Sequence, residues 1–465
     1  MSTKTDADTS GRVPWERVRF IAVPAALVLV ALALRLPGLD VPDRMYFDEV
    51  YYAEDALALL EQGVEDGFAV HPPVGKWLIA AGIATVGFDP VGWRVAAAIA
   101  GALTVLATYG IGIRLFGRLW LAALAGLLVA VDGMALSISR IAMLDGFVAM
   151  FVSGAAWLLL VDREQRADSL TAWPPPGRWA AGALLGLAVA TKWSAVLAVG
   201  AAGLVVLAWE LADRRRAGAG LLADPGRLAA GLVLPFVVLP AMVYLASYTG
   251  WFLNYPETRP GSEVCDVEPC PVPLTQQAAD WWHEQGEIVS FHTDLDAEHD
   301  YRAPAWTWPI LTRPVVHYFE SCGREEPADE CEVAPGHGAI IVGVGNPAVW
   351  WLALPAYGLL GWAGIARRRS EAGFLLVFLL AQWVPWLVTA RPVFFFYTAP
   401  LVPFVALTLA WASGEVAGRW RRWRWLPAVV AVAAIATAVY LYPVWVGAEL
   451  SGEGWRDRML LRSWY

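Results

Sequence analysis

Asp48 and Glu49 stand side by side in the run Tyr46-Phe47-Asp48-Glu49-Val50-Tyr51-Tyr52, a carboxylate pair flanked by aromatic rings. A carboxylate beside an acceptor hydroxyl can take its proton as general base, while its neighbour orients the acceptor or a cation. Burial among rings raises the pKa of such a group and nearby cations lower it, so the setting is tunable. The plainer alternative is a solvated helix face, where adjacent Asp and Glu are common. His71, directly before Pro72-Pro73, is either a site histidine or the cap of a following helix. Asp145, five residues after Arg140, is either functional or that arginine's ion-pair neighbour within an apolar segment.

These residues belong to a chain that lipid must solvate. Of 465 residues, 58% are hydrophobic and 17% charged, and the mean hydropathy is +0.49, a balance foreign to water-soluble domains. About 20 apolar residues cross a hydrocarbon core of about 30 Å. The pattern predicts an all-α polytopic membrane protein with eleven spans, near 20–38, 92–113, 119–136, 141–161, 179–197, 198–212, 228–249, 347–365, 372–389, 393–412 and 426–446. No small-residue cleavage site follows the first apolar stretch before Arg35, so the first span reads as a retained anchor rather than a signal peptide.

Cationic short loops stay on the cytoplasmic side. With residues 1–19 as a cytoplasmic tail, every inner segment is basic: Arg12/Arg17/Arg19, Arg114/Arg118, Arg163/Arg166, Arg214–Arg216, Arg367–Arg369 and Arg419–Arg424. Spans 1–7 then occupy 20–250, and the loops at 39–91 and 251–346 face outward. Spans 8–11 occupy 347–446, and the tail at 447–465 lies outside. The large loop carries seventeen Asp and Glu against four Arg, which argues against nucleic acid as a partner. All four cysteines (Cys265, Cys270, Cys322 and Cys331) fall in it, where oxidising conditions favour disulfides in any of three pairings. Their Cys-x4-Cys and Cys-x8-Cys spacings do not resemble common zinc sites. Both outer loops read as structured: the run MYFDEVYYAEDALALLEQG, ended at Gly63, as an amphipathic helix in the interface, 76–86 as an apolar helix too short to span, and 306–319 as an aromatic segment able to dock on the membrane surface. No glycine-rich nucleotide-binding loop is present.

Against this topology a few cations are misplaced. Arg140, Lys192 and Arg391 lie in short outer turns, and Lys76 and Arg94 flank the end of the first outer loop. Each alone can snorkel to lipid headgroups. Converging, they would make a site for a lipid-linked phosphate. Such cations could do the work of a metal, so a divalent ion is not demanded.

At these residues the chain resembles a family. FDEVYYA, HPPVGKWL, SRIAMLDGF, TKWSA, FHTDLDAEHDYRAPAWTWPILTRPV, GNPAVWW and RPVFFFYTAPLVPF occur in the order of bacterial, actinobacterial-type protein O-mannosyltransferases, membrane enzymes of the GT-C fold. The large loop is too short to add the MIR domain of eukaryotic members. The resemblance implies transfer of mannose from polyprenyl phosphate mannose to Ser or Thr of secreted or membrane polypeptides, with the secretion translocon a candidate partner. It implies Asp48 as base and Glu49 as acceptor support. It further implies Arg140 and Lys192 on the donor phosphate, with His71, Lys76, Asp145, His292, His299 and Arg313 as further binding residues. Arg391 joins the anion site on topology. The rivals are a related transferase moving another sugar or using a lipid acceptor, and a transporter, which internal repeats and midplane charges would favour.

Overall fold

The structure is a computed structural model that describes residues 14–65, 70–166, 174–220, 224–265, 272–295, 299–324 and 331–464. Arg12 and Cys270 lie outside the described residues. The helices run α1 Pro14–Arg35, α2 Glu49–Glu61, α3 Val74–Val86, α4 Pro90–Phe116, α5 Leu119–Ala130, α6 Gly133–Ser137, α7 Leu144–Gln165, α8 Pro176–Val189 and α9 Val196–Arg216. There follow α10 Pro225–Val233 and α11 Leu239–Ser247, joined through a π-helical turn into one rod, and the short α12 Thr249–Leu253 and α13 Arg259–Val264. Next come α14 Leu274–Asp294, α15 Pro347–Gly361, α16 Ser370–Val388, α17 Val402–Arg419, α18 Leu426–Val446 and α19 Gly452–Arg456.

Eight rods among the described residues are long and apolar enough to cross a membrane: 90–116, 144–165, 193–216, 225–247, 347–366, 370–388, 395–419 and 421–446. Of the other three expected spans, the first falls on α1, Pro14–Arg35, and the third and fifth are shorter helices, α5 of 12 residues and α8 of 14. Polar residues end the last two early. Asp132 leaves α5 to cap α6 through the backbone N–H groups of Met134 and Ala135, and α8 gives way at Thr191-Lys192. Lipid-facing rods such as 225–247 keep most of their surface exposed, whereas 395–419 is enclosed by its neighbours. α4, α7 and α17 therefore form the centre, with α4 packed on α1, α3, α5 and α7.

The bundle has two distinct ends. α4 runs from Arg94 to Arg114, α7 from Asp145 to Glu164, and α9 from just beyond Lys192 to Arg216. At the far end Arg114 pairs with Glu164, Arg163 with Asp213, Arg178 with Asp162 and Glu210, and Arg369 with Glu415. The near end carries the loop elements α2, α3 and α14.

The near end also holds strands within an otherwise helical molecule. β1 Val315–Ser321, β2 His337–Gly343 and β3 Glu449–Ser451 form an antiparallel sheet in the order β1-β2-β3, with a register irregularity at His317. The aromatic segment expected to lie on the membrane surface thus divides into a 3-10 turn at Ala305–Ile310 and β1. Val-rich β-branched sequence and a paired partner strand override the amphipathic pattern. Cys322 and Cys331 form a disulfide across the β1–β2 connection, and Cys265 is also disulfide-bonded. The C-terminal segment packs back onto this face, where buried Trp464 donates its indole N–H to the Leu311 carbonyl at 2.6 Å.

Candidate active site

Asp48 occupies the N-cap position of α2, yet its side chain makes no capping hydrogen bond. It lines a cavity of ≈ 550 Å³ instead. Phe47 sets this direction. Its backbone lies in the left-handed region, φ 54°, a conformation that a bulky residue holds only under packing constraint. The constraint is visible, since its ring meets His317 edge-on at 4.8 Å and Phe396 at 5.8 Å.

Glu49 takes the opposite course. It is wholly buried and accepts hydrogen bonds from the Arg94 guanidinium at 2.6 Å, the Tyr46 N–H at 3.2 Å and the Ala142 N–H at 3.1 Å. Arg94 in turn donates to the carbonyls of Leu39, Pro42 and Arg44 at 2.8–2.9 Å. The two carboxylates of the pair therefore separate. Asp48 faces the cavity, and Glu49, which does not line it, fastens the first loop to α4 and to the segment before α7.

Lys192 and Arg391 line the same cavity. Lys192, in the α8–α9 turn, donates to Asp145 at the start of α7 at 2.7 Å. Its ammonium also lies 5.4 Å from the Phe396 ring and 5.2 Å from the Tyr397 ring. Arg391, before the 3-10 turn Phe395–Leu401, donates to the Tyr397 hydroxyl at 3.0 Å. Tyr397 thus brings together two cations that are remote in sequence. The Arg391 Nε has no partner among the described residues, so the guanidinium keeps a donor in reserve.

Three histidines complete the wall. His71 and His292 stack at 5.1 Å, and His299 packs edge-on against Phe394 at 5.0 Å. Burial holds His71 well below the usual imidazole range, with Lys192, His292, Lys76 and Arg391 adding to the effect. Burial likewise lowers His292, opposed by its bond to the Val70 carbonyl. Asp48 is pushed up to about 6 by burial, an effect opposed by Lys192 and reinforced by Asp145. A carboxylate so placed is ionised at neutral pH yet poorly solvated, the combination that suits a general base.

Other expected site residues lie elsewhere. Arg140 does not converge with Lys192 and Arg391. It donates to the carbonyls of Arg35, Pro37 and Gly38 at 2.5–2.8 Å, satisfying the end of α1 where backbone acceptors lack helical partners. Lys76 is buried between Asp55 at 2.8 Å and Glu65 at 2.9 Å, bracing α3 against α2. Arg313 donates to the carbonyls of Asp300 and Ser463, joining the large loop to the C-terminal tail. Two supporting residues carry little sequence signal. His317, buried under Phe47 and held at about 3 by desolvation, lies within RPVVHYF. Asp132 accepts from the Asn346 N–H at 2.8 Å and the Trp350 indole at 3.0 Å, which explains the GNPAVWW motif as a junction.

A cavity between helix turns at one end of the bundle, lined by a poorly solvated carboxylate and two cations, on a many-helix membrane scaffold, is the arrangement of a GT-C membrane glycosyltransferase. Fold comparison agrees. The chain superposes on the Saccharomyces cerevisiae protein O-mannosyltransferase Pmt1-Pmt2 complex bound to the sugar donor with a TM-score of 0.80, at 14% identity, covering 98% of this chain and 93% of that one. Residues 90–255 match the family model for dolichyl-phosphate-mannose-protein mannosyltransferase, and residues 277–464 that for the C-terminal four-transmembrane region of protein O-mannosyltransferase. The polyprenol-phosphate-mannose–protein mannosyltransferase of Mycobacterium tuberculosis is 33% identical over 97% of this chain and 93% of its own length. That of Corynebacterium glutamicum is 30% identical over 90% and 86%. The chain belongs to the protein O-mannosyltransferase family.

Proposed function

We propose that this enzyme transfers mannose from polyprenyl phosphate mannose to Ser and Thr hydroxyls of translocated polypeptides, at the extracytoplasmic face of the cell membrane, with inversion at C1. Asp48 takes the hydroxyl proton as the oxygen bonds to C1 on the face opposite the phosphate. The C1–O bond to phosphate breaks, and polyprenyl phosphate leaves with the bonding electrons. Lys192 and Arg391 stabilise the charge that develops on it, an effect strengthened by the poorly hydrated wall. Asp145 holds Lys192 in place, and the aromatic rings of the wall, with His71 and His299, shape the sugar and acceptor sites.

The observation that carries this reading is the placement of Asp48, Lys192 and Arg391 on one cavity. The basic far end supports a cytoplasmic assignment for that side and an outer assignment for the cavity. The names of the full-length relatives support donor and acceptor class. Membranes containing the protein, supplied with radiolabelled polyprenyl phosphate mannose and a Thr-rich peptide, should label the peptide. Label entering lipid but not peptide would overturn the acceptor assignment.

A further inference from the structure

His292 lies on α14 of the large loop, near the end of the helix, and touches two other parts of the site at once. Its Nε2 lies 3.0 Å from the Val70 carbonyl in the first loop, and its Nδ1 lies 3.1 Å from an Arg391 NH group. A carbonyl only accepts and a guanidinium only donates. The ring is therefore neutral, with its proton on Nε2 and its Nδ1 lone pair spent on Arg391. The His292 backbone carbonyl receives a second contact from the same NH group at 3.4 Å. The same helix reaches the other cation's turn, because Gln285 accepts from the Tyr244 hydroxyl at 2.6 Å and that hydroxyl accepts from the Trp193 indole at 3.0 Å, next to Lys192.

We infer that His292 is a positioning residue for the donor phosphate: its neutral Nδ1 aims the Arg391 guanidinium, and α14 thereby couples the large loop to donor binding. This rests on Arg391 contacting the donor phosphate. Protonating Nδ1 would set an N–H against the guanidinium and remove the acceptor that holds it. The charged and titratable groups facing the ring are His71 from the first loop, Lys192 from the α8–α9 turn and Arg391 before α17. Both cations disfavour protonation, so the latch stays closed at neutral pH and opens only in acid.

Asn and Gln divide the two bonds. An Asn amide oxygen reaches the place of Nδ1, whereas a Gln amide nitrogen reaches that of Nε2. With purified protein in nanodiscs and the labelled donor, H292N should hold donor KM within about twofold of wild type. H292Q should raise it about tenfold, the scale of one lost hydrogen bond to a charged group. Acceptor KM should stay unchanged in both. In the wild type, donor KM should rise as pH falls below the neutral range, and H292N should abolish that rise. Equal effects of the two substitutions, or a wild-type donor KM flat across acid pH, would overturn the assignment, and the second measurement needs no variant to fold. R391A tests the underlying reading separately, since unchanged donor KM there removes Arg391 from the phosphate whatever His292 does.

Discussion

Asp48→Asn separates catalysis from stability, and the structure sets the size of both effects. The Asp48 carboxyl stands at about 6 against an ordinary 3.8. That gap corresponds to about 3 kcal/mol by which ionised Asp48 destabilises the fold. The sign follows from linkage. For an acid whose folded value is raised, the cost is fully present above about pH 6 and fades as pH falls toward 3.8. An amide of the same shape removes the cost, so at pH 8 the variant should match or exceed wild type in thermal stability in detergent, and at pH 4 the gain should vanish. Loss of a general base should lower kcat by about 10²–10⁴. Wild-type kcat should decline below pH 6, the proton acceptor being lost. The assay pairs a thermal-shift series across pH with mannosyl transfer to peptide. A variant less stable than wild type at pH 8, or one that retains near-normal kcat, refutes this account of Asp48.

Glu49→Gln should behave in the opposite way, leaving Arg94 buried beside a neutral partner and costing about 3–5 kcal/mol, read as a lowered midpoint in detergent unfolding. Any loss of activity should track the unfolded fraction; a stable but inactive Glu49→Gln protein would return that residue to the chemistry. Arg140→Gln should loosen the end of α1 and reduce stability while donor KM in the folded fraction stays within about twofold, and a large donor KM increase at unchanged stability would show that the residue binds phosphate after all.

How much could be read from the chain follows from what each signal encodes. Hydropathy and arginine placement mark where apolar rods lie and which ends are basic, because lipid acts on every residue of a segment, and the rods at 92–113, 141–161 and 426–446 emerge near their expected bounds. Charge out of place marks burial but not partner. Lys192 and Arg391 meet through Tyr397, whereas Arg140, equally misplaced, spends its donors on backbone carbonyls. The adjacent letters Asp48 and Glu49 conceal a divergence that only the left-handed Phe47 and the start of α2 create. The strands at 315–321 and 337–343 escape notice because pairing across a disulfide-closed connection is a long-range property.

The junction at Asp132 imposes an order on how the protein is made. Its Oδ2 depends on Asn346 and Trp350, and Asn346 in turn donates to the carbonyls of Val131 and Ala434. When α5 and α6 leave the ribosome those donors are still more than two hundred residues away. That oxygen must wait, hydrated or protonated, until α15 arrives. The amino-terminal helices are in this sense an insertion intermediate rather than an independent domain. Protease resistance around residue 132 should appear during synthesis only once α15 has emerged, and its appearance in a chain ending before residue 346 would show that the first half completes itself alone.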